Sequence, residues 1–560
     1  MPKPLSDSQQ PPTSSRASSA RSSQSAGQSP PPDASRPSDS PPEPPPQTRL
    51  DVGGRALVTA ITATPAAANT ENDVERGPSQ AAVGTFGDVD CDFSEGLNNA
   101  RTGPGWTNRR KHFFILSCAG KPIYSRSVAF LVYPAWGHHM VLALNRQYAD
   151  ALYDLRIICR YGDEAKLSSL MGLIQAIISF FASDDDSVRS LTAGGHTFVF
   201  SVKGPLYLVA VSSTGESVAQ LRQQLSYLHS QILFILTSTQ LTRIFDTRVN
   251  YDLRNLLSGT EMFLDQLARS FQSTPGFFLG SVQCLRMPAR VRQKVAQALS
   301  VGNPQGLAFG MLLAKDQLIG LIRPKRHSLH PADLHLVANM IASSSGFRSG
   351  EAWTPVCLPM FNNKAFLHAY VCYVGPDLCV VLCSTDKDSF FGMSEYKAEI
   401  VKGLEEGGCV DGIDEALHGV PYSIVEVGVP SLRHFIVKST PLVQYTQPAP
   451  APPYTRKDDW RRLLQIYQRA SEALHARIDP VSTYFYTGPA EAVLACTVGT
   501  LELYAAFGPL VSKTVAMDAI NALARWARRC EDLLFLGSVP VLGSKQRSIT
   551  PERLTGPTSP

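Results

Sequence analysis

Few residues in this chain are spaced for covalent chemistry. Gly508-Pro-Leu-Val-Ser-Lys-Thr514 has the Lys-Thr ending of a phosphate-binding loop but lacks the glycine that must precede the lysine. It therefore reads as the start of a helix. His138 and His139 are adjacent, and in a strand adjacent side chains point to opposite faces, which is a poor metal site. Asp184-Asp185-Asp186 reads as a charged helix end more readily than as a cation site. There is no HExxH, no CxxC and no evident nucleophile–base pair, so the sequence calls for no cofactor and no metal. The 11 cysteines follow no disulfide spacing, and Cys379 and Cys383 sit in an apolar run as buried thiols would, the usage of a reduced cytosolic protein.

With catalysis set aside, binding surfaces are the remaining tool. Lys121 and Tyr124 lie on a predicted hairpin, and Tyr161, Gly162, Asp163 and Glu164 lead into an amphipathic helix. Together they are candidates for a partner surface, although acidic residues at a helix start also have an ordinary capping role. Trp353 falls in a predicted edge strand and could anchor a docking protein. Arg323, Lys325 and Arg326 close a hairpin, and Arg525, Arg528 and Arg529 share a helix face. Arg286, Arg290, Arg292 and Lys294 spread along another helix. Such groups can attract anionic lipid at about 1 kcal/mol per charge, but solvated helix faces look the same.

The elements that must position these groups repeat three times. The chain has 560 residues, too many for one domain, and 44% of them are hydrophobic. Residues 1–110 are rich in Ser, Pro, Ala and Gly and read as a disordered arm; Ser29-Pro30 and Ser40-Pro41 in it resemble proline-directed phosphorylation sites. His112–Ser117 and Lys121–Arg126 flank the turn Ala119-Gly120 as a β-hairpin. A helix from Tyr161, three strands (Val188–Thr192, Thr197–Lys203, Leu206–Ser212) and two helices (Ser217–Thr237, Tyr251–Phe271) follow. The order recurs with a hairpin at Gln305–Ala314 and Gln317–Arg323, and again with one at Tyr422–Val427 and Leu432–Lys438. The predicted class is α/β with an α+β layout: three antiparallel sheets flanked by helices. The modules span 111–272, 273–408 and 409–537, and 538–560 reads as a loose tail.

Several long motifs then carry a family resemblance. KHFFILSCAGKPIYSR, YGDEAKLSSLMG, NYDLRNLLSG, LHPADLHLVANMI, GEAWTPVCLPMFN, STYFYTGP and ELYAAFGPL resemble the Mon-type vacuolar fusion proteins from about Lys111 to Leu536. That family has three tandem longin domains. The resemblance implies a heterodimer with a Ccz-type longin subunit, acting as a guanine-nucleotide exchange factor for the late-endosomal and vacuolar Rab GTPase. It also implies recruitment by an early-endosomal Rab and by phosphoinositide, and roles in endosome maturation, vacuole fusion, vacuolar protein transport and autophagy. The implied location is cytoplasmic, peripheral on late endosomes, multivesicular bodies, vacuoles and autophagosomes. On this reading Lys121, Tyr124 and 161–164 form the GTPase and partner surface, and Trp353 docks the recruiting Rab. A rival class is a trafficking adaptor that binds cargo or tethers without accelerating exchange.

One departure stands out. In the family YSR runs directly into YG, whereas here 127–160 intervene. The piece is apolar and both flanks join cleanly without it, which favours a translated intron over a lineage-specific loop. A net charge of +4, without basic runs interleaved with aromatics, excludes a nucleic-acid partner. No apolar leader segment and no spanning helix are expected.

Overall fold

The computed structural model describes residues 111–128, 164–182 and 187–542, except 303, 421 and 538. Asp184–Asp186, His138-His139, Tyr161–Asp163 and nearly all of 127–160 lie outside these residues.

In the first module β1 (Lys111–Ser117) and β2 (Pro122–Val128) pair antiparallel, and Gly120 turns the chain at φ 76°. A Cβ there would also meet Gln175, whose side-chain amide donates to Cys118 O at 2.9 Å, so both the turn and the close approach require glycine. The strand continues to Ser127 and Val128, opposite His112 and Lys111. The first two residues of the expected insertion, Ser127 and Val128, thus complete the ladder of the hairpin.

Helix α1 (Glu164–Ala182) precedes β3 (Ser190–Ala193), β4 (His196–Lys203) and β5 (Leu206–Ser212). The sheet order is β2-β1-β5-β4-β3. Then come α2 (Val218–Ile235), α3 (Ser238–Thr247) and α4 (Glu261–Ser270). Ser217 and Gln220 form a reciprocal cap on α2. The expected helix Tyr251–Phe271 is broken instead: one turn at Arg254–Leu257 ends at Ser258-Gly259, and Gly259 has φ 82°.

The second module follows β6 (Val282–Gln283) and includes α5 (Ala289–Ala298), whose Val295 and Ala298 are buried in its core. It contains β7 (Leu307–Ala314), β8 (Gln317–Ile322), α6 (Pro331–Ser343), β9 (Ala352–Leu358), β10 (Asn363–Tyr373), β11 (Leu378–Ser384), α7 (Phe390–Glu406) and α8 (Cys409–His418). Its order, β8-β7-β11-β10-β9, repeats the first sheet. Cys409 and Ile413 of α8 are buried with the second module's core, so that module extends past 408.

The third module holds β12 (Leu432–Ser439), β13 (Gln444–Thr446), α9 (Lys457–Leu474), β14 (Thr483–Thr487), β15 (Ala492–Val498), β16 (Leu501–Phe507) and α10 (Lys513–Arg529). The predicted strand Tyr422–Val427 is instead a 3-10 turn at Ile424–Val427, closed by Gly428 at φ 73°. The hairpin partner of β12 is β13. The sheet order β14-β15-β16-β12-β13-β6 is the same layout plus one parallel strand from the linker before module two.

The modules are not separate beads. One apolar core joins Phe113, Ile115 and Leu208 of the first sheet to Phe309, Val371 and Val381 of the second, through Leu225, Leu228 and Ile232 of α2. The second and third sheets are joined by backbone: Cys284 N–H donates to Tyr445 O at 3.2 Å and Leu285 N–H to Leu318 O at 3.0 Å. The tail begins later than 538 as well, since Leu542 N–H donates to Arg323 O at 2.9 Å.

Candidate functional site

The phosphate-loop look-alike is a helix cap. Ser512 Oγ accepts from Val515 N–H, and Lys513 is the exposed first residue of α10. Among the described residues no three His, Cys, Asp or Glu side chains come together as a metal site. Burial raises the Cys357, Cys379 and Cys383 thiols to about 12 each, so they stay protonated at neutral pH.

On the hairpin, Lys121 is exposed and donates to Asn250 O at 2.7 Å. Tyr124 is buried, and its hydroxyl donates to Asp265 Oδ1 of α4 at 2.8 Å. Burial, then the Asp265 charge, raises this phenol well above its usual range. Arg126 pairs with the same carboxylate. Tyr124 is thus an internal strut at the β2 edge and presents little surface to a partner, contrary to its expected place on a partner surface. Glu164 opens α1.

Helix α1, expected to be amphipathic, carries apolar residues on more than one side and offers a broader surface. Ile174 and Ile178 pack on Phe114 and Leu116 of the sheet. Leu173 and Ile177 are only half-buried, and Phe180 is 61% exposed. β3 is an edge strand of the same sheet, and in it Ser190 and Thr192 are exposed. An apolar helix face and an open edge on one sheet suit a protein partner that adds a strand or covers the helix.

Trp353 lies in edge strand β9 of the second sheet. Its indole N–H donates to Lys387 O at 3.0 Å, and the ring stacks on His368 at 5.6 Å. It is half-buried, while the neighbouring Phe391 is 77% exposed.

The basic groups divide. Lys325 and Arg326 are exposed, whereas Arg323 is half-buried at the end of β8. Arg525, Arg528 and Arg529 do share one exposed face of α10, and Arg528 donates to Val498 O at 3.2 Å. The series along α5 is largely structural. Arg286 pairs with Glu426 at 2.5 Å and lies 4.7 Å over the Tyr422 ring. Lys294 donates to Gly407 O at 2.6 Å. Arg292 is 6% exposed and donates to Leu285 O at 2.9 Å, Leu533 O at 3.0 Å and Asp532 O at 3.3 Å. Sequence reasoning missed this role because a buried arginine and a solvated one are the same letter.

Among the described residues no helix is long and apolar enough to cross a membrane.

Comparison with known proteins agrees with the three-module layout. Models of the first, second and third longin domains of FUZ, MON1 and HPS1 match residues 111–267, 305–402 and 431–531. Human "Vacuolar fusion protein MON1 homolog A" is 41% identical over 433 residues, 77% of this chain and 61% of that protein. The Bos taurus homologue is also 41% identical over 433 residues, covering 72% of its length. "Vacuolar fusion protein MON1" of Cryptococcus neoformans is 40% identical over 383 residues, 68% of this chain and 62% of that one. The chain thus spans less than two thirds of the human and Cryptococcus relatives. With identity at this level running through all three modules, the chain belongs to the MON1 vacuolar fusion protein family and carries its three longin domains in tandem.

Proposed function

We propose that this chain is one subunit of a heterodimeric guanine-nucleotide exchange factor that activates the late-endosomal and vacuolar Rab GTPase. The observation that carries the proposal is the 41% identity to a MON1 protein over 433 residues. The α1 stripe and the β3 edge are where a Ccz-type longin partner would dock. A stable interface of that kind buries roughly 1,200–2,000 Å², more than one helix face supplies, so the GTPase surface is shared between the subunits. Exchange then needs no reactive side chain. The complex binds the nucleotide-free GTPase better than the loaded form, and each 1.4 kcal/mol of that difference is worth about tenfold in release rate.

Trp353 with Phe391 is the proposed dock for the recruiting early-endosomal Rab. Lys325, Arg326 and the α10 arginines are proposed to face phosphoinositide membrane, at endosomes, vacuoles and autophagosomes. The test is release of a fluorescent guanine nucleotide from the late-endosomal Rab, with each subunit alone and with both. At least a hundredfold acceleration by the pair is expected. Release at the intrinsic rate, with the pair intact, would favour an adaptor instead.

A further inference from the structure

Helix α2 is buried on two sides of different character. Leu221, Leu225 and Leu228 enter the core shared by the first two modules. Gln220 and Gln224 point the other way, toward α9 of the third module, and are 7% and 5% exposed. Two cavities of about 10 Å³ lie along this seam. Gln220, Gln224 and Gln468 line the first, and Gln272, Gln465 and Gln468 line the second.

The amides here are not fully matched by protein. Gln220 Oε1 accepts from Ser217 N–H at 3.2 Å, and its Nε2 finds no protein acceptor. Gln224 Nε2 donates to Glu216 at 2.9 Å, and its Oε1 finds no donor. Gln272 Nε2, in the second cavity, has no acceptor either. A donor and an acceptor thus line one cavity of roughly the size a single water needs. Left dry, each would cost about 1–3 kcal/mol. Direct bonding across the seam is sparse, the clearest case being Trp460 Nε1–H to Ser273 O at 3.1 Å.

The other two joints are built differently. The first and second modules share a large apolar core, and their buried amides bond directly to each other, Asn339 Nδ2–H to Gln231 Oε1 at 2.9 Å, although Gln231 Nε2 and Asn339 Oδ1 keep no partner; the second and third are held by backbone hydrogen bonds and by Arg292. We propose that the three modules close on one another through two tight joints and one wet latch, the glutamine seam between α2 and α9, and that this latch opens while the other joints stay shut. The solvent that bridges the amides lowers the cost of parting the surfaces, because water can replace each contact as it breaks. No GTPase or partner is needed, so the inference stands apart from the exchange reading.

The test is thiol accessibility in the full-length chain. Gln468→Cys places a reporter in the seam, and native Cys284, 2% exposed, reports on the tight joint. With N-ethylmaleimide and peptide mass mapping under native conditions, position 468 should label at least 30-fold faster than Cys284. Adding Gln220→Leu, Gln224→Leu and Gln272→Leu should slow labelling at 468 at least tenfold. Equal protection at the two positions would overturn the proposal, as would indifference to the three leucines. Should the quadruple variant not fold, Gln468→Cys combined with Gln272→Leu alone decides, and labelling at 468 as slow as at Cys284 would refute the latch.

Discussion

The two joints of the third module use the same kind of material to opposite ends. At β6 the pairing is carried by backbone: Val282, Cys284 and Leu285 give their N–H groups to carbonyls of Val443, Tyr445 and Leu318, and Arg292 donates to three more carbonyls. At the α2–α9 seam, polar groups are equally buried but incompletely paired. Burial alone does not make a joint rigid; pairing does. A satisfied polar contact fixes one geometry, whereas an unsatisfied one invites water and lets the surfaces choose among several.

The largest expected effect comes from breaking the tight joint. Arg292→Met keeps length and apolar bulk but takes the guanidinium donor from the Leu285 and Asp532 carbonyls, and leaves Leu533 O only Met287 N–H. The unpaired carbonyls should cost on the order of 3–5 kcal/mol, read as a fall in the urea midpoint of the full chain. Cys284 should then label faster, since Arg292 Nη1 also lies 3.3 Å from its sulfur. A change under about 1 kcal/mol would show that the ladder at β6 suffices alone, and the contrast between the joints would narrow to backbone pairing.

The wet joint should respond in the opposite sense. Gln220→Leu, Gln224→Leu and Gln272→Leu remove amides that bond little, so stability should change by less than about 1 kcal/mol or rise, because replacing unmatched polar groups by apolar ones is nearly neutral. A loss of 3 kcal/mol or more would mean that bridging water makes the seam as strong as the β6 joint. The comparison would then fail.

The same contrast explains what the sequence could show. A strand with both faces buried is an apolar run, so Leu206–Ser212 was legible to the residue. Gly120 announced its turn. β13 was not legible: Gln444-Tyr445-Thr446 is three residues long, lacks alternation, and pairs only because β12 and β6 flank it. The apolar run Tyr422–Val427 looked like a strand because it too is partly buried, with Tyr422 stacked on Trp526 at 6.0 Å. Of the candidate site, the amphipathic character of α1 could be read from its letters, but Tyr124 could not be placed, since its partner Asp265 lies 141 residues away. Glutamines read as surface residues, and nothing local marks those that a distant helix will cover.

The smallest effect concerns the other side of α9, where it meets its own module. His475 Nε2 lies 3.2 Å from Glu502, which also accepts from Lys438 at 3.0 Å in a buried network. The hydrogen bond to Glu502 is the main cause that raises the His475 pKa above its usual 6.5, against the opposing effect of burial. A histidine with a raised folded pKa contributes stability that is whole below 6.5 and fades as pH climbs through the folded value. The wild-type urea midpoint should therefore exceed that of His475→Gln by a margin that shrinks between pH 6 and 8. The side chain is half exposed, so solvent screens the pair and the margin will be small. Because this network anchors α9 to its own sheet, labelling at Gln468→Cys should keep its rate over the same pH range. A rate that rises with the loss of the His475 charge would mean that the helix itself loosens, and opening at the seam would then be a property of α9 rather than of the wet surface between the modules.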